Sequence, residues 1–169
     1  AGPVDYTQGA MHNASRENFR AIHDEPMSQG TRCRQLAEYI VFDSPLNMLC
    51  DSPSSYEREH ECTSFIAGIP TVWDHTTVLC GKVSEYIATA RQKGNIWYVG
   101  AMTNWEECTI EIDLSFLGAG DFKAEIFRDG VNAYRYARDY KKELIEIPAD
   151  RKLKVRMAPG GGFAARIYQ

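Results

Sequence analysis

Four polar side chains stand where short extended segments give out: Asp5, Tyr6 and Gln8 in PVDYTQG, and Asp51 in NMLCDSP. If Pro3-Val4 and Leu46 to Cys50 end two successive parallel strands joined by a helical crossover, Asp5 and Asp51 lie just past neighbouring strand ends. In a (β/α)8 barrel that face carries the active site. There the four residues could hydrogen-bond a polar ligand such as a sugar. Loop capping and turn formation use the same residue types, and both readings stay open. Glu57, Arg58, Glu59, His60 and Glu61 form a charge run that reads as a solvated helix face, because adjacent helical residues point in different directions. His12, His23, His60 and His75 lie in segments of different character, which argues against a metal site built from them. The sequence contains no Walker loop, GxGxxG, HExxH or GxSxG pattern. Ala158-Pro159-Gly160-Gly161-Gly162 precedes a strand and not a helix, so it reads as a turn and not a phosphate cradle.

The elements that would position these groups fall into two kinds. From Arg32 to Phe42, Cys33, Leu36, Ala37, Ile40 and Val41 recur at the spacing of one helical face, with Ser28 as an upstream cap and Asp43-Ser44-Pro45 as the stop. Leu46 to Cys50 follows as a short apolar strand of the kind buried on both faces. Ser52-Pro53 or Ser54 caps a second helix, with Glu57 completing a capping box and Gly68 and Pro70 ending it. Met11 to Met27 is polar and lacks periodicity, and reads as a long ordered loop. Near Gly81 the period changes from 3.6 to 2, which places a boundary at about residue 83. Tyr86 to Arg91 and Ile96 to Met102 flank a glycine-bearing turn as a hairpin. Thr109 to Phe116 alternates polar and apolar, giving one wet and one buried face. Further short strands run over Phe122 to Arg128, Leu144 to Ile147, Leu153 to Met157 and Phe163 to Tyr168. Together they argue for an antiparallel β-sandwich with no helix after Gly81.

Composition narrows the classes of function. A chain of 169 residues has room for one large or two small domains, and a net charge of -4 gives no electrostatic reason to bind nucleic acid or an anionic membrane. No apolar run approaches the roughly 18 residues of a membrane span. No signal-peptide pattern occurs at the start of the sequence, which a mature exported protein would also lack. Five widely spaced cysteines without a CxxC pair read as buried free thiols, at least one necessarily unpaired.

The stretches PVDYTQGAM, EPMSQGTRCRQLAEYIVFDSPLNMLCDSPSSYERE, FIAGIPTVWD and MAPGGGFAARI resemble, in the same order, the C-terminal part of glycoside hydrolase family 97. The resemblance covers essentially the whole chain. It implies an α+β fragment: the C-terminal end of a (β/α)8 barrel over residues 1–83, then an antiparallel β-sandwich over 84–169. It further implies a parent enzyme that hydrolyses terminal α-galactosides or α-glucosides, requires calcium and works in the bacterial periplasm. Gln8 in DYTQG points to the galactosidase-like branch. The family's catalytic carboxylates and calcium ligands correspond to no residue of this sequence and are expected upstream of Ala1. The chain alone is therefore expected to be inactive and to bind no metal. Asp5, Tyr6, Gln8 and Asp51 remain the candidate sugar contacts. His75 and Cys80 stand where the family pattern would have glutamate and aspartate. The helix and strand of residues 32–50 are expected to be covered by the rest of a barrel or by another chain. The rival reading is a non-catalytic module, either binding carbohydrate on Trp97 or Trp105 or bracing the barrel.

Overall fold

The computed structural model describes Pro3 and residues 6–169, the side chain of Gln8 excepted. A six-stranded antiparallel sheet is its centre, in the order β10-β9-β12-β7-β6-β5. Its strands are β5 (His75–Lys82), β6 (Tyr86–Lys93), β7 (Ile96–Thr103), β9 (Lys123–Asp129), β10 (Tyr140–Glu146) and β12 (Gly162–Tyr168). A second antiparallel pair, β8 (Cys108–Asp113) and β11 (Lys152–Met157), packs on one face. The inter-sheet core takes Ala88, Val99, Ala101, Ile126, Phe163 and Ile167 from the large sheet, and Ile110, Ile112, Val155 and Met157 from the small one. In β8 the expected alternation holds, with Ile110 and Ile112 inward and the residues between them exposed. Beyond Gly81 only a 3-10 turn, Ser115–Leu117, interrupts the strands.

The other face of the large sheet is covered by helices. Thr31, and not Ser28, caps α1 (Arg32–Val41), its Oγ1 accepting the Arg34 amide at 3.1 Å. The apolar stripe of α1, with Cys33, Leu36 and Ile40 fully buried, packs together with Tyr98, Phe127 and Ala164. Burial of such side chains stabilises by about 1.5–3 kcal/mol each. Close approach depends on Gly100, where a Cβ would sit 3.0 Å from the Ala37 carbonyl oxygen, Ile40 Cβ and Val41 Cγ2. The expectation that another chain or further barrel elements cover residues 32–50 is therefore corrected for the helix. Its cover is this chain's own sheet, because an amphipathic stripe records only that one face is buried and not what buries it.

Residues 46–50 differ from expectation as well. Strand β4 is only Met48–Leu49, and it is exposed rather than buried. It pairs in parallel with β1 (Thr7–Gln8), Thr7 opposite Met48 and Gln8 opposite Leu49. The parallel relation was legible in the sequence, and the strand described here lies at Thr7–Gln8; the reading of Pro3-Val4 as a strand end falls, with Ala1, Val4 and Asp5, outside the described residues. The polar stretch after it is not wholly loop, since β2 (His12–Ala14) pairs in parallel with β3 (Met27–Gln29). The second helix is broken in two at Glu59, giving α2 (Pro53–Arg58), capped by Ser52, and α3 (His60–Ala67). β5, which a division at residue 83 leaves with the first portion, pairs with β6 from His75 to Lys82. Among the described residues no helix is long and apolar enough to cross a membrane.

Candidate functional site

Beyond the carboxyl ends of β1 and β4 the two chains are tied together by side chains. Gly9, at φ +117°, turns the first away beneath the Tyr39 and Tyr56 hydroxyls. The Tyr56 hydroxyl donates to the Gly9 carbonyl and accepts the Asp51 amide, both at 3.0 Å. Asp51 closes the knot: Oδ2 accepts the Met11 amide and Oδ1 the Ser52 amide, each at 2.7 Å. Partial burial raises the pKa of this carboxyl, and the amide hydrogen bonds more than offset that, leaving it below the ordinary aspartate value. Asp51 thus forms the turn at the strand ends. It also faces a cavity.

That cavity, of about 350 Å³, is lined by polar groups from three directions. His12 and Glu25 come from the segment after β1, Asp51, Ser55 and Arg58 from β4–α2, and Arg138 from the loop between β9 and β10. Beneath it lies Arg32, fully buried and fully engaged. Its Nε donates to Asn13 Oδ1 at 2.6 Å, Nη1 to Glu59 Oε2 at 2.7 Å and Nη2 to the Met11 carbonyl at 2.6 Å. Burial alone would lower its pKa, and the bond it donates to Glu59 more than restores it, so the guanidinium stays charged. Glu59 is therefore not the solvated residue expected of the charge run; it breaks the helix and neutralises Arg32. Glu61 is likewise engaged, accepting the Tyr140 hydroxyl at 2.6 Å. Glu57 remains exposed.

Among the described residues, Asp51 is the sequence candidate placed at this cavity. Tyr6 stands at the opposite end of β1, its ring edge-on to Phe42 at 4.9 Å. Its hydroxyl is buried without a partner among the described residues, and burial pushes its pKa up to about 12. Gln8 lies within β1 itself, and Asp5 lies outside the described residues. His12, Glu25, Arg58 and Arg138 were missed as site residues. A strand pattern marks only the positions at its own end, and these groups arrive from separate loops. The tryptophans of the rival reading are both half-buried and away from this cavity: Trp97 packs tilted on Phe116 at 4.6 Å, and Trp105 lies against Gly160 beside a second cavity. The glycine-rich turn is held by the neighbouring sheet. Asp129 Oδ2 accepts the Ala158 and Gly162 amides at 2.8 and 3.1 Å, in burial that pushes the carboxyl up to about 6.

Chemically, the cavity offers donors and acceptors suited to sugar hydroxyls. Hydrolysis of a glycoside requires two positioned carboxyl groups, one of them held protonated. Asp51, with both oxygens on backbone amides and a lowered pKa, does not supply the acid. Among the described residues no group of three or more histidines, cysteines and carboxylates could hold a metal ion.

Residues 72–168 match a family model described as glycosyl-hydrolase 97 C-terminal, oligomerisation. The chain is 62% identical over 167 residues to a retaining alpha-galactosidase of Bacteroides thetaiotaomicron, covering 99% of this chain and 25% of that protein. It is 27% identical over 164 residues to a probable retaining alpha-galactosidase of Streptomyces bingchenggensis, covering 97% and 23%. The chain thus spans about a quarter of the length of the curated relatives it matches. A solved family 97 enzyme from Pseudoalteromonas sp. strain K8, in complex with acarbose, superposes with TM-score 0.86 at 34% identity, over 99% of this chain and 26% of that one. The sequence motifs and these matches agree, and the chain belongs to glycoside hydrolase family 97.

Proposed function

We propose that this chain works as the C-terminal portion of a calcium-dependent, periplasmic α-glycosidase that hydrolyses terminal α-galactosides in preference to α-glucosides. The observation that carries this reading is the 62% identity to a retaining alpha-galactosidase along nearly the whole chain. A carbohydrate substrate is supported by the acarbose complex of the Pseudoalteromonas relative. In this reading β1, α1 and β4 form one strand-helix-strand unit of a (β/α)8 barrel, and the six-stranded and two-stranded sheets form the sandwich that braces it. A division drawn by sheet membership falls ahead of β5, upstream of the change of period near residue 83. The catalytic acid and its partner carboxylate, like the calcium ligands, belong to parts of the enzyme other than this chain, which is inactive alone.

The test is a comparison of the full-length protein with this chain. The full-length protein should release chromophore from aryl α-galactosides faster than from aryl α-glucosides, lose activity to a chelator and regain it with calcium. The isolated chain should release none. Full-length protein inert on both substrates would refute the glycosidase reading, and turnover by the chain alone would refute its inactivity.

A further inference from the structure

We propose that Arg138, carried by the loop between β9 and β10, is a specificity-determining residue that hydrogen-bonds an outer sugar unit of an oligosaccharide in the cavity at the ends of β1 and β4. The inference rests on the glycosidase reading and assigns part of the substrate site to the sandwich.

The loop is built into place. Its base is closed by the Gly130 amide donating to the Asp139 carbonyl at 2.9 Å and the Asn132 amide to Asp139 Oδ2 at 2.8 Å. Its far side is fastened to the strand-end region. The Arg32 amide, first in α1, donates to the Ala137 carbonyl at 2.7 Å, and Asn18 Nδ2 donates to the Arg135 carbonyl at 3.3 Å. Ala133 and Ala137 are buried beneath it. Arg138, next to this anchor, is delivered to the cavity half-buried, its guanidinium 5.3 Å from the Tyr136 ring centre.

Among the described residues Arg138 forms no ion pair, although carboxylates line the same cavity. Asp51 is held by two amides and Glu59 by Arg32. A guanidinium presents five donors in a planar fork, which matches adjacent hydroxyls of a sugar ring. The carboxylates around the cavity disfavour an anionic ligand, while their oxygens can accept from the same hydroxyls. A volume of about 350 Å³ lies at the lower end of the range for small-molecule sites, on the scale of a single sugar unit. Arg138 reaches the cavity from the β9–β10 loop of the sandwich and not from a barrel strand, so the unit it contacts is assigned to the outer part of the substrate.

The test uses the full-length protein with Arg138→Ala and Arg138→Lys, assayed on an aryl α-galactoside and on an α-galactosyl trisaccharide. Arg138→Ala should lower the ratio of kcat/KM for trisaccharide over aryl galactoside about tenfold, chiefly through KM, as expected for one charged hydrogen-bonding group. Arg138→Lys should recover part of that ratio. Equal loss on both substrates would assign Arg138 a merely structural role, and an unchanged ratio would remove it from the site; either overturns the proposal. Calorimetric titration of the trisaccharide into the same proteins keeps the two hypotheses apart. If the wild type cleaves neither substrate the glycosidase reading falls. Saturable binding weakened about tenfold by Arg138→Ala would then still support the subsite, and absent or unaltered binding would overturn it.

Discussion

Glu38 shows how much a single buried carboxyl can report. It lies on α1, 5% exposed, with Oε1 3.3 Å from Arg34 Nε one turn earlier. Burial pushes its pKa up to about 7, against the smaller opposing pull of Arg34. The folded state therefore holds this proton more firmly than the unfolded chain does. Stability is fully retained below the unfolded value and is lost as pH rises from about 4.5 to 7, by about 3 kcal/mol at most. Urea unfolding of the chain and of Glu38→Gln at pH 4.5 and pH 8 should show the variant gaining on the wild type by about 1–3 kcal/mol at the higher pH. Asp129, also raised, is present in both proteins and cancels from the difference. A difference independent of pH would show that Glu38 is not desolvated. Arg32, also buried, stays charged, with Glu59, Asn13 and the Met11 carbonyl each accepting from one of its nitrogens. None of this could be read from the sequence, where Glu38 is one more charged residue on a helix and Glu59 one of a charge run.

Elements were more legible than the contacts between them. Helix α1 runs from Arg32 to Val41 as its apolar spacing requires, and β8 alternates as its sequence does. Period alone, however, does not name the partner, and the stripe expected to face a barrel lies against β7 and β12. The signal for that docking was Gly100, in the middle of a strand otherwise suited to side chains, where glycine marks close approach by another backbone. Gly100→Ala should cost about 1–3 kcal/mol, since the new Cβ meets the Ala37 carbonyl oxygen, which cannot withdraw without disturbing the helix. For a chain of this size that lowers the melting temperature by about 2–12 °C. An unchanged melting temperature would mean that α1 does not rest on β7. The two-residue strands β1 and β4 are too short to carry a period. Their parallel pairing was deduced from the helix between them; Leu46 to Cys50 contains the observed β4, Met48–Leu49, while the first strand is described at Thr7–Gln8. The same limit governed the site. Asp51 could be found because it follows a strand, whereas Arg138 comes from a loop that only tertiary folding brings near.

At the scale of the molecule, satisfied and unsatisfied surfaces are separated in space. The large sheet is buried on both faces at its centre, along most of β7 and β12, and exposed at its edges β5 and β10. Around β1 and β4 the opposite holds: Leu46, Met48 and Leu49 are 62%, 39% and 48% exposed. Nearby, the Tyr6 and Tyr39 hydroxyls and Asn47 Oδ1 are buried without partners among the described residues. Buried polar groups without partners are uncommon in native structures, and clustered apolar exposure marks a surface made for contact. Both features are accounted for if β4 is an internal barrel strand of the proposed enzyme. Leu49→Lys separates that account from one in which β4 is a free surface. In the isolated chain the substitution alters an exposed side chain and should change unfolding free energy by less than about 0.5 kcal/mol. In the full-length protein it would place an unpaired charge in the barrel wall, at a cost of several kcal/mol. That cost would appear as lost soluble expression or a melting temperature lower by about 5 °C or more. If both proteins tolerate the lysine equally, β4 is not enclosed in the barrel, and the strand-end cavity lies on the outside of the enzyme.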